Sequence, residues 1–269
     1  MIEFRPTQAV VRRMPSSFFQ ALTQHAPRSP IQVPLAMRQH AAYSETLRGL
    51  GLRLHELPAE EGHPDCCFIE DTAVIVGRRA AICQLGAQER QGEERVVREL
   101  LTSLGLETVD VSGDATVDGG DVLFTGRELI VGLSRRTNEA GARRLAKIFA
   151  GLCPVLTVPV EGTLHLKSLL SAWDPGTILI AGDPAGRKIR ESLEPRREFQ
   201  SQIRWVELPD SVAANVLAIG ETIVIQAGFP RSEKILSALA AEKGKRLLKL
   251  EMSEMIKADG ALTCCSLLF

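Results

Sequence analysis

The chain of 269 residues has no excess charge of either sign, with 32 Lys+Arg against 33 Asp+Glu and a formal charge of −1. That balance removes the electrostatic basis for binding nucleic acid or an anionic membrane surface. No run of about 18 apolar residues occurs, so no membrane-spanning helix is expected. The opening MIEFRPTQAVVRRMP carries arginines and no apolar central segment, unlike a secretory signal, and a cytoplasmic location is the expectation. The familiar nucleotide signatures are also missing. There is no G-x-x-x-x-G-K-[ST], and Gly49-Leu50-Gly51 lacks the third glycine of a dinucleotide loop. Neither G-x-S-x-G nor H-E-x-x-H is present. Phosphoryl transfer, redox chemistry, serine hydrolysis and metalloproteolysis lose weight together.

The six cysteines lack a framework. They fall as Cys66-Cys67, Cys83, Cys153 and Cys264-Cys265. Zinc ligands come as C-x₂₋₄-C pairs because a short turn must aim both thiolates at one ion, and no such spacing occurs. If each vicinal pair lies on a strand, it offers one inward and one outward thiol. Most are expected as small core residues, which leaves room for one nucleophile.

What is present is a repeat. TAVIVGRRAAIC (72–83), DVLFTGRELIVG (121–132) and NVLAIGETIVIQ (215–226) each read as two apolar runs around Gly77, Gly126 or Gly220, the pattern of a β-hairpin. DPGTILIAGD (174–183), centred on Gly176, is a weaker copy. The four glycines are 49, 50 and 44 residues apart, within the range of repeat architectures. An amphipathic helix follows each strong hairpin (GAQERQGEERVVRELLTSLG, SRRTNEAGARRLAKIFAGL, PRSEKILSALAAEKG), then a short strand (LETVDV, PVLTVPV, KRLLKLE).

The N-terminal segment supplies most of a fifth module: strand TQAVVRR, helices MPSSFFQALTQHA and LAMRQHAAYSETLRGLG, and strand LRLHELP. Its missing strand is predicted to be the C-terminal LTCCSLLF, which would close a ring and remove an open edge. The expected fold class is α/β, five pseudo-fivefold ββαβ modules in a single domain spanning 1–269. A doubly wound α/β sheet is the alternative, and hairpins rather than alternating single strands argue against it.

Four polar clusters lie at predicted strand ends or turns. The first, Asp65-Cys-Cys-Phe-Ile-Glu70-Asp71, places three acids around an apolar strand, or is a solvated turn with a helix cap. In the second, Asp118-Gly-Gly-Asp121, two glycines suit a backbone that must approach something closely, or a plain turn. The third, Thr163-Leu-His165-Leu-Lys167-Ser168, gives His165 either a catalytic or a hydrogen-bonded structural role. The fourth, Asp259-Gly-Ala-Leu-Thr-Cys264-Cys265-Ser266, holds thiols that are inert in an ordinary apolar strand. In a ring, equivalent strand ends converge on the axis. One pocket would then hold a nucleophile, an acid/base partner, an orienting carboxylate and counter-charges for a cationic substrate.

These segments, with Asp118-Gly-Gly-Asp-Val-Leu-Phe-Thr-Gly-Arg127-Glu128 and Val131-Gly-Leu-Ser-Arg-Arg136-Thr-Asn138, closely resemble the dimethylarginine dimethylaminohydrolases, in the family's order and across essentially the whole chain. That family belongs to the guanidino-group modifying enzymes, so the resemblance implies a five-module αβ-propeller. It also implies hydrolysis of Nω-methylated L-arginine to L-citrulline and a methylamine through a covalent thiouronium. Carried over, Cys264 would be the nucleophile, His165 the general acid/base and Asp118 its orienting carboxylate. Asp65, Glu70 and Asp71 would surround the guanidinium, Arg90 and Arg136 would hold the α-carboxylate, and Asp259 would line the pocket.

No metal or organic cofactor is required by this scheme. The partner is a small molecule, neither nucleic acid nor membrane, with a homodimer left open. Arginine deiminases carry an acid where this chain has Lys167. Pro27 stands where the family's mobile substrate-covering loop has leucine, which puts that loop's mobility and its backbone contact with the substrate amino group in question. Deimination or hydrolysis of arginine or agmatine is the alternative chemistry, and a non-catalytic arginine-binding module the alternative class.

Overall fold

The computed structural model describes residues 5–196 and 203–269, so the first four residues of the opening stretch lie outside it. The three strong glycine hairpins form as expected. They are β3 (Ala73–Val76) with β4 (Arg79–Ile82), β6 (Val122–Phe124) with β7 (Leu129–Leu133), and β12 (Leu217–Ile219) with β13 (Thr222–Gln226), each pair antiparallel. Gly77, Gly126 and Gly220 turn the chain at positive φ of 60°, 92° and 55°, where a Cβ would strain the backbone. The weaker copy joins β9 (Leu170–Asp174) to β10 (Thr177–Ala181) differently: Asp174 Oδ1 accepts the Gly176 N–H at 2.9 Å, with a register shift at Thr177/Ile178.

Each hairpin is followed by a helix, then by a strand parallel to the hairpin's second strand. The helices are α2 (Glu94–Ser103), α3 (Glu139–Ile148), α4 (Pro184–Leu193) and α5 (Pro230–Glu242), and the returning strands are β5 (Glu107–Asp110), β8 (Val155–Pro159), β11 (Arg204–Leu208) and β14 (Arg246–Leu250). Helix α2 shows why such helices dock: Val97 and Leu101, four residues apart on one face, are fully buried, each contributing on the order of 2 kcal/mol. Helix α4, which the repeat pattern did not single out, starts where the Asp183 carboxylate accepts the Gly186 N–H.

The first module closes as predicted. β1 (Gln8–Arg12) runs parallel to β2 (Arg53–Leu57) across α1 (Val33–Gly49), and the C-terminal β15 (Leu267–Leu268) pairs antiparallel with β1. The ring is therefore sealed by both ends of the sequence. Among the described residues, five apolar clusters lie at the joints between adjacent modules rather than inside single ones. Leu129 and Val131 share a cluster with Val74 and Ala81, for instance, and Ala9 and Val11 share one with Leu217 and Val224. No module buries its apolar surface alone, which explains the closed architecture. The inner strands surround an axial cavity of about 470 Å³ lined by Val74, Leu123, Ala172, Leu217 and Leu267 among others.

Three local expectations are corrected. MPSSFFQALTQHA is not a helix beyond a 3₁₀ turn at Ser16–Gln20, because carboxylates capture its backbone: Glu61 accepts from Ser16 and Ser17, Asp65 from Leu22, and Asp259 from Gln24. Residues 64–67 are turn, not strand, followed after Phe68 by a 3₁₀ turn at Ile69–Thr72. Cys66 and Cys67 are consequently both buried instead of alternating. Cys264 likewise lies in a 3₁₀ turn, Thr263–Cys265, rather than in a strand.

Candidate active site

The four polar clusters meet at one end of the axis, carried by 3₁₀ turns that each precede an inner strand. A turn suits this role because Glu70 and Asp71, adjacent in sequence, are both buried and both engaged in the same region. A strand would send them to opposite faces.

Asp118 is fully buried. Its Oδ1 accepts the Gly86 N–H at 2.8 Å and its Oδ2 lies 3.0 Å from His165 Nε2, so the backbone of one turn aims the carboxylate at the imidazole of another. Asp71 Oδ1 stands 3.9 Å from the same ring nitrogen. Gly120 makes this packing possible: a Cβ there would lie 2.7 Å from His165 Nδ1 and 2.8 Å from Asp71 Oδ1. Burial pushes the His165 pKa down, but the charge of Asp71, the hydrogen bond to Asp118 and the charge of Asp121 outweigh it and hold it at about 9. His165 is thus a cation at neutral pH.

Asp71 is held at about 2. Burial raises it, and the charges of His165 and Arg90, with Arg90 Nη1 donating at 2.5 Å, overcome that. Glu70 differs. Burial raises its pKa against the opposing Lys167 ammonium, whose Nζ donates to Oε1 at 2.6 Å, while Thr263 Oγ1 donates to Oε2 at 2.8 Å. Asp65 is also raised by burial, opposed by Arg90. Cys264 Sγ accepts the Ala261 N–H at 3.4 Å, and burial together with the charges of Glu70 and Asp71 pushes its pKa far up. The free protein therefore holds a neutral thiol beside carboxylates and an imidazolium.

Other candidate residues have different surroundings. Arg136 Nη1 is buried without a hydrogen-bond partner among the described residues, 4.0 Å from Asp118 Oδ2, a free donor suited to an incoming anion. Arg90 is occupied: it is held by Asp71, by both oxygens of Glu93 at 3.1 and 2.8 Å, and by the Phe68 carbonyl at 2.9 Å. Asp259 has a φ of 55°, a left-handed conformation that Asp tolerates, and its carboxylate accepts the Gln24 N–H at 2.6 Å. Asp65 accepts the Leu22 N–H. The loop containing the partly buried Pro27 is thereby tied down by two of the predicted substrate carboxylates.

Glu93, Thr263 and Asn215 were not singled out from sequence. An Arg90-x-x-Glu93 spacing at a helix start could have marked the first. Asp71, Asp118 and His165 place ligand atoms within 4.8 Å of one another. All four carboxylate oxygens are already engaged by Arg90, Gly120, Gly86 and His165, an arrangement built for an imidazolium rather than a metal ion.

Fold and site together define a five-module propeller with a thiol, an imidazole and carboxylates gathered at its axis. The family model described as N,N dimethylarginine dimethylhydrolase, eukaryotic, matches residues 5–169. An N(G),N(G)-dimethylarginine dimethylaminohydrolase of Pseudomonas aeruginosa is 32% identical over 239 residues, covering 87% of this chain and 88% of that protein. One from Streptomyces coelicolor is 31% identical, covering 96% and 95%. Among solved structures, a cysteine-to-serine variant of the Pseudomonas aeruginosa protein in complex with citrulline superposes with a TM-score of 0.87 at 29% identity, covering 99% of this chain and all of that one. The chain belongs to the dimethylarginine dimethylaminohydrolase family.

Proposed function

We propose that the chain hydrolyses Nω-methylated L-arginines to L-citrulline and dimethylamine or methylamine, with Cys264 as nucleophile, His165 as acid/base and Asp118 as its orienting carboxylate. The observation that carries this reading is the buried Asp118–His165–Asp71 arrangement beside a thiol whose ionisation two carboxylates suppress. A bound guanidinium would reverse that suppression. Its positive charge offsets Glu70 and Asp71, so the thiol releases its proton to water where the electrophile has arrived, His165 being already protonated.

Sγ then adds to the guanidinium carbon. The C–N bond to the methylated nitrogen breaks as His165 gives that nitrogen its proton, leaving a thiouronium on Cys264. The now neutral imidazole takes a proton from water, and the hydroxide adds to the same carbon. The C–S bond breaks, the thiolate leaves and is reprotonated, and citrulline is released. Arg136, with its unpartnered Nη1, suits the α-carboxylate. Arg90 serves from behind Asp71, fixing the carboxylate that faces His165. Asp65 and Asp259 serve the substrate only once the loop at Leu22 and Gln24 releases them. Citrulline held by the Pseudomonas relative's cysteine-to-serine variant supports the product assignment.

We take residues 1–269 as one catalytic unit working on a small molecule in the cytoplasm. Six free cysteines suit a reducing compartment, and no helix among the described residues is long and apolar enough to cross a membrane. The test is citrulline and amine release from asymmetric dimethylarginine, monomethylarginine, arginine and agmatine. Methylated substrates are expected to be preferred by at least about tenfold in kcat/KM. A preference for arginine or agmatine, or no citrulline from any of them, overturns the assignment.

A further inference from the structure

We infer that Asn215 is a positioning residue that locks the nucleophile's turn to the acid/base's turn; this rests on the reading of Cys264 and His165 above. Asn215 is 1% exposed and sits between a 3₁₀ turn, Ser211–Ala214, and the inner strand β12, with no part in the roles assigned so far. Its amide makes three of its four possible hydrogen bonds, both N–H donors being used. Oδ1 accepts the Thr263 N–H at 3.0 Å, and Nδ2 donates to the Lys167 carbonyl at 3.0 Å and to Thr263 Oγ1 at 2.9 Å. Thr263 immediately precedes Cys264, and Lys167 lies two residues beyond His165. The Thr263 N–H opens a 3₁₀ turn and has no partner within it, so Asn215 supplies what the turn lacks.

The bonds also have a direction. Because Nδ2 donates to Thr263 Oγ1, that hydroxyl is free to donate to Glu70 Oε2, while Lys167 Nζ donates to Oε1. A closed ring results, from Asn215 through Thr263, Glu70 and Lys167 and back. It joins turns from three other modules, and Glu70, Lys167 and Thr263 form part of the wall of the axial cavity.

The repeat supports the assignment. Five residues before the hairpin glycines stand Thr72, Asp121, Ser171 and Asn215, all buried and polar. Asp121 accepts the Leu166 N–H of the next module, and Ser171 bonds Ala214 and Val216 of the next. Asn215 repeats this module-to-module tie, and its next module is the one carrying the nucleophile. Ser171 makes the same kind of tie without touching Thr263 or Glu70, so it provides the structural control.

The experiment compares N215A, S171A and wild type as full-length protein. The readouts are melting midpoint, kcat and KM on asymmetric dimethylarginine, and iodoacetamide alkylation of each cysteine followed by peptide mass spectrometry. Both variants are expected to melt lower. Only N215A should lose kcat, by about tenfold or more with KM within about threefold, because misplaced groups cost turnover before binding. Its Cys264 should alkylate about fivefold faster as water enters the opened ring, while Cys153 is unchanged. Alkylation needs no substrate, so it reads the lock even if methylarginine proves to be the wrong substrate. Should N215A not fold, T263V keeps the volume and deletes the hydroxyl that accepts from Asn215 and donates to Glu70, leaving the Asn215 bonds to the Thr263 N–H and the Lys167 carbonyl in place, and it is expected to lower kcat likewise. Unchanged Cys264 alkylation, or a kcat loss in S171A equal to that in N215A, overturns the inference.

Discussion

The two Cys-Cys pairs are the same dipeptide in similar turns, with different surroundings. Cys66 Sγ faces backbone carbonyls, donating to Glu60 O at 3.7 Å, and Cys67 packs in the apolar joint beside Cys265. Burial lifts the Cys66 pKa to about 11 and raises that of Cys67 as well. In the second pair Cys265 donates to the Ala261 carbonyl from full burial, while Cys264 is partly exposed and accepts the Ala261 N–H. All four thiols are raised, so a depressed pKa in the free protein does not mark the nucleophile. What differs is the charge that adds to burial. Cys66 and Cys67 are raised chiefly by burial, which no ligand undoes. Cys264 is raised by burial and next by the carboxylates of Glu70 and Asp71, and an incoming cation cancels the second contribution.

The largest expected effect comes from breaking that difference directly. Cys264→Ser should lower kcat on asymmetric dimethylarginine by at least about 10³-fold, since a hydroxyl beside two carboxylates does not ionise. Cys265→Ser should keep kcat within about threefold and lose some stability from its buried site. Equal losses in both variants would end the assignment of the nucleophile.

Next in size is Asp118→Asn. The amide keeps the shape but replaces one acceptor oxygen by a donor, so either the Gly86 N–H or the His165 Nε2 proton loses its partner. Steady-state kinetics should show a fall in kcat/KM on the order of 10²-fold with an unchanged circular dichroism spectrum. A variant within a few-fold of wild type would reduce Asp118 to a structural acid.

The comparison also explains what could be read before the structure. The ring was legible because each hairpin, helix and closing strand is a local pattern. The acids, His165 and the thiols were legible as sets because they cluster at strand ends. Their pairings were not, since Lys167 meets Glu70 across 97 residues and Thr263 meets Glu70 across 193. The strand expected around Cys66 and Cys67 failed for a related reason: apolar composition suits a strand, but Glu70 and Asp71 must serve one site, and only a turn allows that. The resemblance assigns Arg90 to the substrate carboxylate, and nothing local to it announces that Asp71 and Glu93 also hold it.

The smallest expected effect sharpens the electrostatics that separate the pairs. His165 titrates at about 9, so its proton is present at neutral pH and lost above that value. The imidazolium is the acid for the leaving amine, so kcat/KM should fall on the alkaline side with a midpoint near 9. Asp71 supplies the largest of the charges that raise it against burial. Asp71→Asn removes that charge, so the limb should move to lower pH, by about one unit for each ~1.4 kcal/mol of lost interaction. The same change takes one carboxylate from beside Cys264, so thiol alkylation there should begin at lower pH while Cys66 stays where it is. A limb that does not move, or moves upward, would show that the proton lost near pH 9 is not the one on His165.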